Sequence, residues 1–309
     1  MKHEPGKEKT KEIILLDGGT GGELRSRGVN LSDNIWSATG LVDAPDVVID
    51  IHTDYIQAGA DVITTNTYGV IKENLELDGI GDRFEDLLVL ACQLARKARD
   101  ASGRGDVLVA GSIPPLKGSY RPDLVGGVEE MLSVYGQHIR IMSPFVDMFL
   151  CETMSSVKEG YAAAKAASVS GRPVWVAWTL HEDRSGRLRS GETLSEACLS
   201  LENLPVSGTL VNCCAPESVE AAMGTLKSKG REFIGGYANT FTPIPEDWVL
   251  GQKKDEEFCT PFRKDLSPEE YLKHVKRWIY EGANVVGGCC GTGPEHIRKI
   301  RKILDNRQG

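Results

Sequence analysis

The sequence predicts an α/β chain folded as a single (β/α)8 TIM barrel, on three observations. Short apolar runs rich in β-branched residues alternate with amphipathic stretches from end to end. Eight such pairs fit within 309 residues, and no Pro/Gly/Ser-rich linker divides them. Polar residues gather after the apolar runs, where barrel enzymes place their active sites. Repeated βα units require a parallel sheet covered by helices, and eight of them at this length suit a closed barrel. An open doubly wound sheet with two domains is the competing arrangement.

Taken in order, 13–16 reads as a strand and 45–58 as a helix ending at Gly59. Strand 62–67 is followed by helix 84–101, whose apolar residues recur at three- and four-residue spacing. The pair 107–112 and 127–142 comes next, with Pro114-Pro115 breaking the chain between them. Then come 146–151 with 157–168, and 174–180 with 194–204. Strand 209–213 leads to helix 216–229, with Pro216 at a first helical position. Strand 233–238 is separated from helix 268–282 by a long irregular segment, and 285–288 leads to a last helix, 294–304. Residues 1–11 are polar and mixed in sign, so the barrel is expected over 12–309 behind a short polar arm.

The bulk numbers exclude several roles. A net charge of −8 argues against general binding to nucleic acid or anionic membranes. The N-terminal residues lack the apolar core of a secretory signal, and no run approaches the roughly 20 apolar residues of a membrane helix. Eight cysteines without an export signal suggest thiols or metal ligands in a cytoplasmic protein, not a disulfide framework.

Three of those cysteines stand at strand ends: Cys213 after 208–212, and Cys289-Cys290 after 283–288. Thiolates converging from separate parts of a chain form a soft-metal site, and three ligands leave zinc one open position for chemistry. Adjacent strand residues point to opposite faces, so Cys289 and Cys290 share a metal only if the strand breaks. Gly287-Gly288 and Gly291 supply that freedom. Cys92, Cys151 and Cys198 read as core residues, and Cys259 lies in a loop. Cys214 complicates the site, because a fourth cysteine ligand would close it and make it structural.

Asp17-Gly18-Gly19, Trp36-Ser37-Ala38, Ala58 to Asp61 with Thr65 to Tyr68, Glu152-Thr153, Val211-Asn212-Cys213 and Gly287 to Gly291 resemble, in order, the homocysteine S-methyltransferase family. The resemblance spans nearly the whole chain. It implies a (β/α)8 barrel in which Zn2+ held by Cys213, Cys289 and Cys290 receives homocysteine through sulfur. It further implies that Asp17 and Glu152 receive the substrate's amino group, that Gly18, Gly19 and Ser37 lie at its carboxylate, and that Tyr68 is an aromatic contact. The product would be methionine. The implied donor is S-methylmethionine or S-adenosylmethionine, since the betaine branch has tyrosine where this chain has Thr153. A different thiol acceptor, a corrinoid-protein donor and a non-catalytic zinc-binding barrel are the alternatives.

Ordinary roles compete at each supporting position. Asp17 could cap the following turn, and Glu152 could pair with Lys158. The glycines at 18, 19, 21 and 22 could cradle phosphate, although the Walker lysine is missing and Asp17 and Glu23 would repel the anion. His52, His138, His274 and His296 fall in or near helices and read as packing or surface residues. The segment 240–268 is long enough for a lid, a donor wall or a partner surface. Trp36, Tyr120, Trp178 and Trp248 are the aromatic candidates for a cationic donor. Nothing in the sequence specifies an oligomeric state.

Overall fold

In the computed structural model, residues 12–242 and 262–307 are described. The strands are β1 (Ile14–Leu15), β2 (Val62–Thr64), β3 (Leu108–Ile113), β4 (Met148–Met154), β5 (Val174–Trp178), β6 (Gly208–Asn212), β7 (Phe233–Ala238) and β8 (Val285–Gly288). They form one parallel sheet in the order β1-β8-β7-β6-β5-β4-β3-β2. A parallel bridge between Leu16 and Val62 joins the two ends, reinforced by the Asp61 N–H donating to Leu15 O at 2.7 Å. The sheet therefore closes, and the open doubly wound alternative is excluded.

The helices are α1 (Thr20–Ser26), α2 (Thr39–Asp43), α3 (Pro45–Gln57), α4 (Lys72–Leu77), α5 (Phe84–Ala101), α6 (Val128–Met142), α7 (Val157–Ser168), α8 (Leu194–Ser200), α9 (Pro216–Ser228), α10 (Pro268–Glu281) and α11 (Pro294–Asp305). Four of them, α3, α9, α10 and α11, begin with proline, which supplies a helical φ where no N–H partner exists. The α10 helix stops at Gly282, whose φ of 118° only glycine adopts cheaply. Along α5, Phe84, Leu87, Leu88, Ala91, Ala95 and Ala98 form the buried stripe that packs on the sheet. None of the described helices is long and apolar enough to cross a membrane.

Alternation along the strands divides the core in two. Leu16, Val62, Ala110, Met148, Leu150, Trp175, Ala177, Leu210, Tyr237 and Val285 fill the barrel interior. Their neighbours in sequence, such as Phe149, Cys151, Val176, Trp178 and Val211, join the larger layer between sheet and helices. Trp178 is thus fully buried behind the barrel, against Gly160 of α7, and cannot serve as a donor contact.

Several boundaries differ from expectation. The strand expected over 62–67 ends at Thr64, because Thr65–Thr67 turn on themselves and the Thr67 hydroxyl donates to Ser112 O at 2.7 Å. The β4 strand runs on to Met154, so Glu152 sits inside it, and its register with β5 shifts between Cys151 and Met154. The helix expected over 194–204 ends at Ser200, followed by tight turns. The short helices α1, α2 and α4 were not expected.

Candidate functional site

Cys213 comes to the pocket through a break in strand parity. In β6, Leu210 and Asn212 share one face and Val211 the other, so a continued strand would send Cys213 outward with Val211. Its φ of 50° reverses that direction. Tyr120, at φ 63°, donates from its hydroxyl towards the Cys213 carbonyl and sulfur, both at 3.0 Å.

Cys289 and Cys290 follow the last residue of β8 in a tight turn. The Cys289 N–H donates to Ala238 O at 2.9 Å, and Thr292 returns its N–H and hydroxyl to Cys289 O at 3.1 and 2.7 Å. Gly288 allows the turn because a Cβ there would stand 2.0 Å from the Thr292 hydroxyl. The strand break expected from the flanking glycines is present. The three sulfurs lie within 4.8 Å of one another, with 3.8 Å between Cys213 and Cys290.

Mutual spacing of this size, in soft donors held by three independent segments, fits a single thiophilic metal ion. Hydrogen bonds from the Cys289 and Cys290 thiols hold the Cys213 thiol well below its usual range. Cys214 is fully buried in the outer core, where burial pushes its thiol up, and it stands outside the sulfur cluster. Cys92, Cys151 and Cys198 are core residues, as expected.

Asp17, Glu152 and the three sulfurs line one open cavity. The Asp17 carboxylate accepts from the Thr64 N–H at 2.7 Å and from its hydroxyl at 3.1 Å. Glu152 accepts from the Ser112 hydroxyl and from Tyr237 at 3.2 Å. Burial raises both acids, Asp17 to about 8 and Glu152 to about 7, despite these donors. Neither bland reading holds: α1 has no side-chain cap, and Lys158 donates to Val125 O instead of to Glu152.

Ser37 and Tyr68 also line the cavity. The Asn66 amide donates to Ser37 O at 2.8 Å, and the Tyr68 hydroxyl shares a 2.6 Å bond with Ser119. Gly18 and Gly19 are lining residues whose role differs in part from expectation. The Gly19 N–H, placed by the resemblance near the substrate carboxylate, is committed to Thr292 O at 2.9 Å. Both positions need glycine for close approach, since a Cβ at Gly18 would meet Thr292 O at 2.5 Å and one at Gly19 the Cys289 carbonyl at 2.7 Å.

Trp36 lines the cavity under the Arg25 guanidinium, 5.0 Å from its ring centre. Tyr120 lines it with one face covered by Arg189 at 4.8 Å. Phe241 and Phe262 stack at 5.4 Å across the rim, at the two described ends of the long segment after β7. Trp248 and Cys259 lie outside the described residues.

Sequence reasoning missed Thr64, Ser112 and Tyr237 as site residues, and put Asn66 after the second strand without giving it a role. Ser112 and Tyr237 were within reach of parity, because each lies an even number of residues from an interior position at the rim end of its strand. The role of Asn66 needed the structure: its Oδ1 is buried in the cavity wall without a protein partner.

Cavity, buried acids and sulfur trio at the C-terminal rim define a barrel whose site has the donor set for a thiophilic metal ion, where barrel enzymes place their chemistry. The chain belongs to the homocysteine S-methyltransferase family, whose model matches residues 14–304. It is an enzyme of the methyltransferase class, with transfer to a homocysteine-like thiol as its chemistry. It is 29% identical to the homocysteine S-methyltransferase of Escherichia coli strain K12, over 94% of this chain and 95% of that protein. It is 28% identical to the selenocysteine methyltransferase of Astragalus bisulcatus, over 95% of this chain and 93% of that one. Among solved structures, the metallated form of the homocysteine methyltransferase MmuM from Escherichia coli superposes with a TM-score of 0.79 at 28% identity, covering 95% of this chain and 97% of the other.

Proposed function

We propose that the protein methylates the sulfur of L-homocysteine to form L-methionine, with a zinc ion held by Cys213, Cys289 and Cys290. The observation that carries this reading is the placement of three clustered sulfurs and two buried acids on the wall of one cavity. An amino acid with a thiol has complementary ends for both groups. When bound, zinc supplies the Lewis acidity that keeps a thiol deprotonated at neutral pH.

The chain's own residues do the rest. Asp17 and Glu152 are poised to ionise when an ammonium arrives, since a nearby cation lowers a buried acid. Thr64, Ser112 and Tyr237 aim the carboxylates, and the Asn66 Oδ1 is a further acceptor for the ammonium. Ser37 borders the position assigned to the substrate carboxylate. The reaction forms a carbon–sulfur bond to the acceptor and breaks one in the donor, whose electron pair leaves with the departing thioether. The acceptor's thiol proton is released to solvent.

The donor side is aromatic, with Trp36, Tyr120, Phe241 and Phe262 on the wall, which suits a sulfonium cation. S-methylmethionine or S-adenosylmethionine is the donor we assign. Selenocysteine is a second acceptor reading, favoured by the relative named for that activity.

Purified protein with zinc and reductant, given homocysteine or selenocysteine with S-methylmethionine, S-adenosylmethionine or betaine, should yield methionine fastest from homocysteine and a sulfonium. Folded, zinc-loaded protein that methylates neither acceptor with any of the three donors would overturn the assignment.

A further inference from the structure

Tyr120 closes a ring of interactions around Cys213 that the methyl-transfer reading does not require. Its hydroxyl stands 3.0 Å from the Cys213 sulfur and 3.0 Å from the Cys213 carbonyl. One face of its ring is covered by the Arg189 guanidinium at 4.8 Å. Arg189 is almost fully buried and pairs at 3.0 Å with Glu182, itself 12% exposed in its side chain. The second carboxylate oxygen of Glu182 accepts from the Ala215 N–H at 2.7 Å, two residues beyond Cys213. One ion pair thus grips both the ring that touches the sulfur and the backbone that carries it.

The local backbone is committed to the same arrangement. Tyr120 and Cys213 are both non-glycine residues in the left-handed region, at φ 63° and 50°. Each conformation costs free energy and persists only where surrounding contacts enforce it. A buried ion pair is also a poor source of net stability, because desolvating two charges offsets their attraction. Its placement is better explained by what it orients.

We propose that Tyr120, held by the Arg189–Glu182 pair, is a positioning residue that sets the direction and electron density of the Cys213 sulfur as a metal ligand. An O–H donor to a ligating thiolate draws electron density away from the metal bond and fixes the sulfur's lone pairs. Groups that orient a ligand in this way typically change metal affinity about 10- to 100-fold when removed. The inference rests on the metal-site reading of the three cysteines, and the test separates the two.

Cobalt serves as the probe, because its thiolate charge-transfer band reports electron density on the ligating sulfur. The parent protein and the variants Tyr120→Phe and Arg189→Met are loaded with Co2+, and affinity is measured by chelator competition. Tyr120→Phe removes one oxygen and keeps the ring. It should move the charge-transfer band to lower energy and change Co2+ affinity about tenfold, at an unchanged melting temperature of the metal-free chain. Arg189→Met should shift both readouts in the same direction by a smaller amount.

An unchanged band and affinity in Tyr120→Phe would overturn the proposal, as would a fall in melting temperature with no spectral change. Reduced parent protein that binds no cobalt at its cysteines would overturn the metal-site reading itself, before any variant is compared.

Discussion

Asp17 shows how a buried acid can be held in reserve. Desolvation lifts it to about 8, against the pull of two hydrogen bonds from Thr64 and with a small push from Glu152. An empty site at neutral pH therefore holds Asp17 largely protonated, and accepting an ammonium requires that proton to leave. The sign follows directly: affinity for the amino group rises as pH climbs through about 8, while the ligand's own ammonium is still charged. L-methionine is the useful probe because it has no thiol to titrate in that window. Its binding by calorimetry should strengthen between pH 6 and 8 with net proton release. Asp17→Asn should remove the rise near 8, leaving the part near 7 that Glu152 contributes, and weaken binding roughly 30-fold or more, the usual consequence of removing one partner of a buried charge pair. A parent profile that is flat over the same range would show that Asp17 does not meet the ammonium.

At the scale of elements, the site depends on two strands that end irregularly. The β4 strand bears Thr153 at φ 63° next to Glu152, and β6 is followed by Cys213 at φ 50°. The Asn212 side chain joins the two ends, accepting from the Thr153 N–H at 2.8 Å and donating to its hydroxyl at 3.0 Å. Asn212→Ala leaves a buried N–H unsatisfied, which costs about 1–3 kcal/mol. It also frees the backbone on both sides of the cavity, so Glu152 and Cys213 lose register with each other. The expected result is a lower melting temperature and a kcat reduced at least tenfold, checked by calorimetry and steady-state assay. A variant that melts early but turns over normally would confine Asn212 to the scaffold. These particulars also show what a sequence can and cannot disclose. Strand positions were legible because apolar runs and helical stripes differ in period. The sulfur trio was legible because Gly287, Gly288 and Gly291 flank the paired cysteines. The inward turn of Cys213 was hidden, because a left-handed residue leaves no mark when it is not glycine. The helices α1, α2 and α4 were hidden too. Segments of five to seven residues are too short to show a period, and tertiary contacts hold them.

Across the whole molecule, the barrel and the sulfur site are separable by construction. The interior core and the layer beneath the helices are each continuous through all eight strands, and the cluster of Cys213 with Tyr120 is a third, small group perched on the rim. Closure through Leu16 and Val62 uses no residue of the sulfur trio. A metal held by the trio would therefore add to a fold that already exists, which is the opposite of a zinc finger, where ligation supplies the folding free energy. A ligand present at a thousand times its Kd stabilises the native state by about 4 kcal/mol, which for a chain of this size amounts to a melting shift on the order of 10 °C. Removing zinc with a chelator under reducing conditions should then abolish methyl transfer and lower the melting temperature by about that much. The far-UV circular dichroism should stay unchanged and melting should stay cooperative, with activity returning when zinc is restored. Cys290→Ser should reproduce the metal-free state without a chelator, keeping the fold and losing zinc and activity together. Loss of helical signal on chelation would instead make the three sulfurs part of what closes the barrel, and the open coordination position would lose its catalytic meaning.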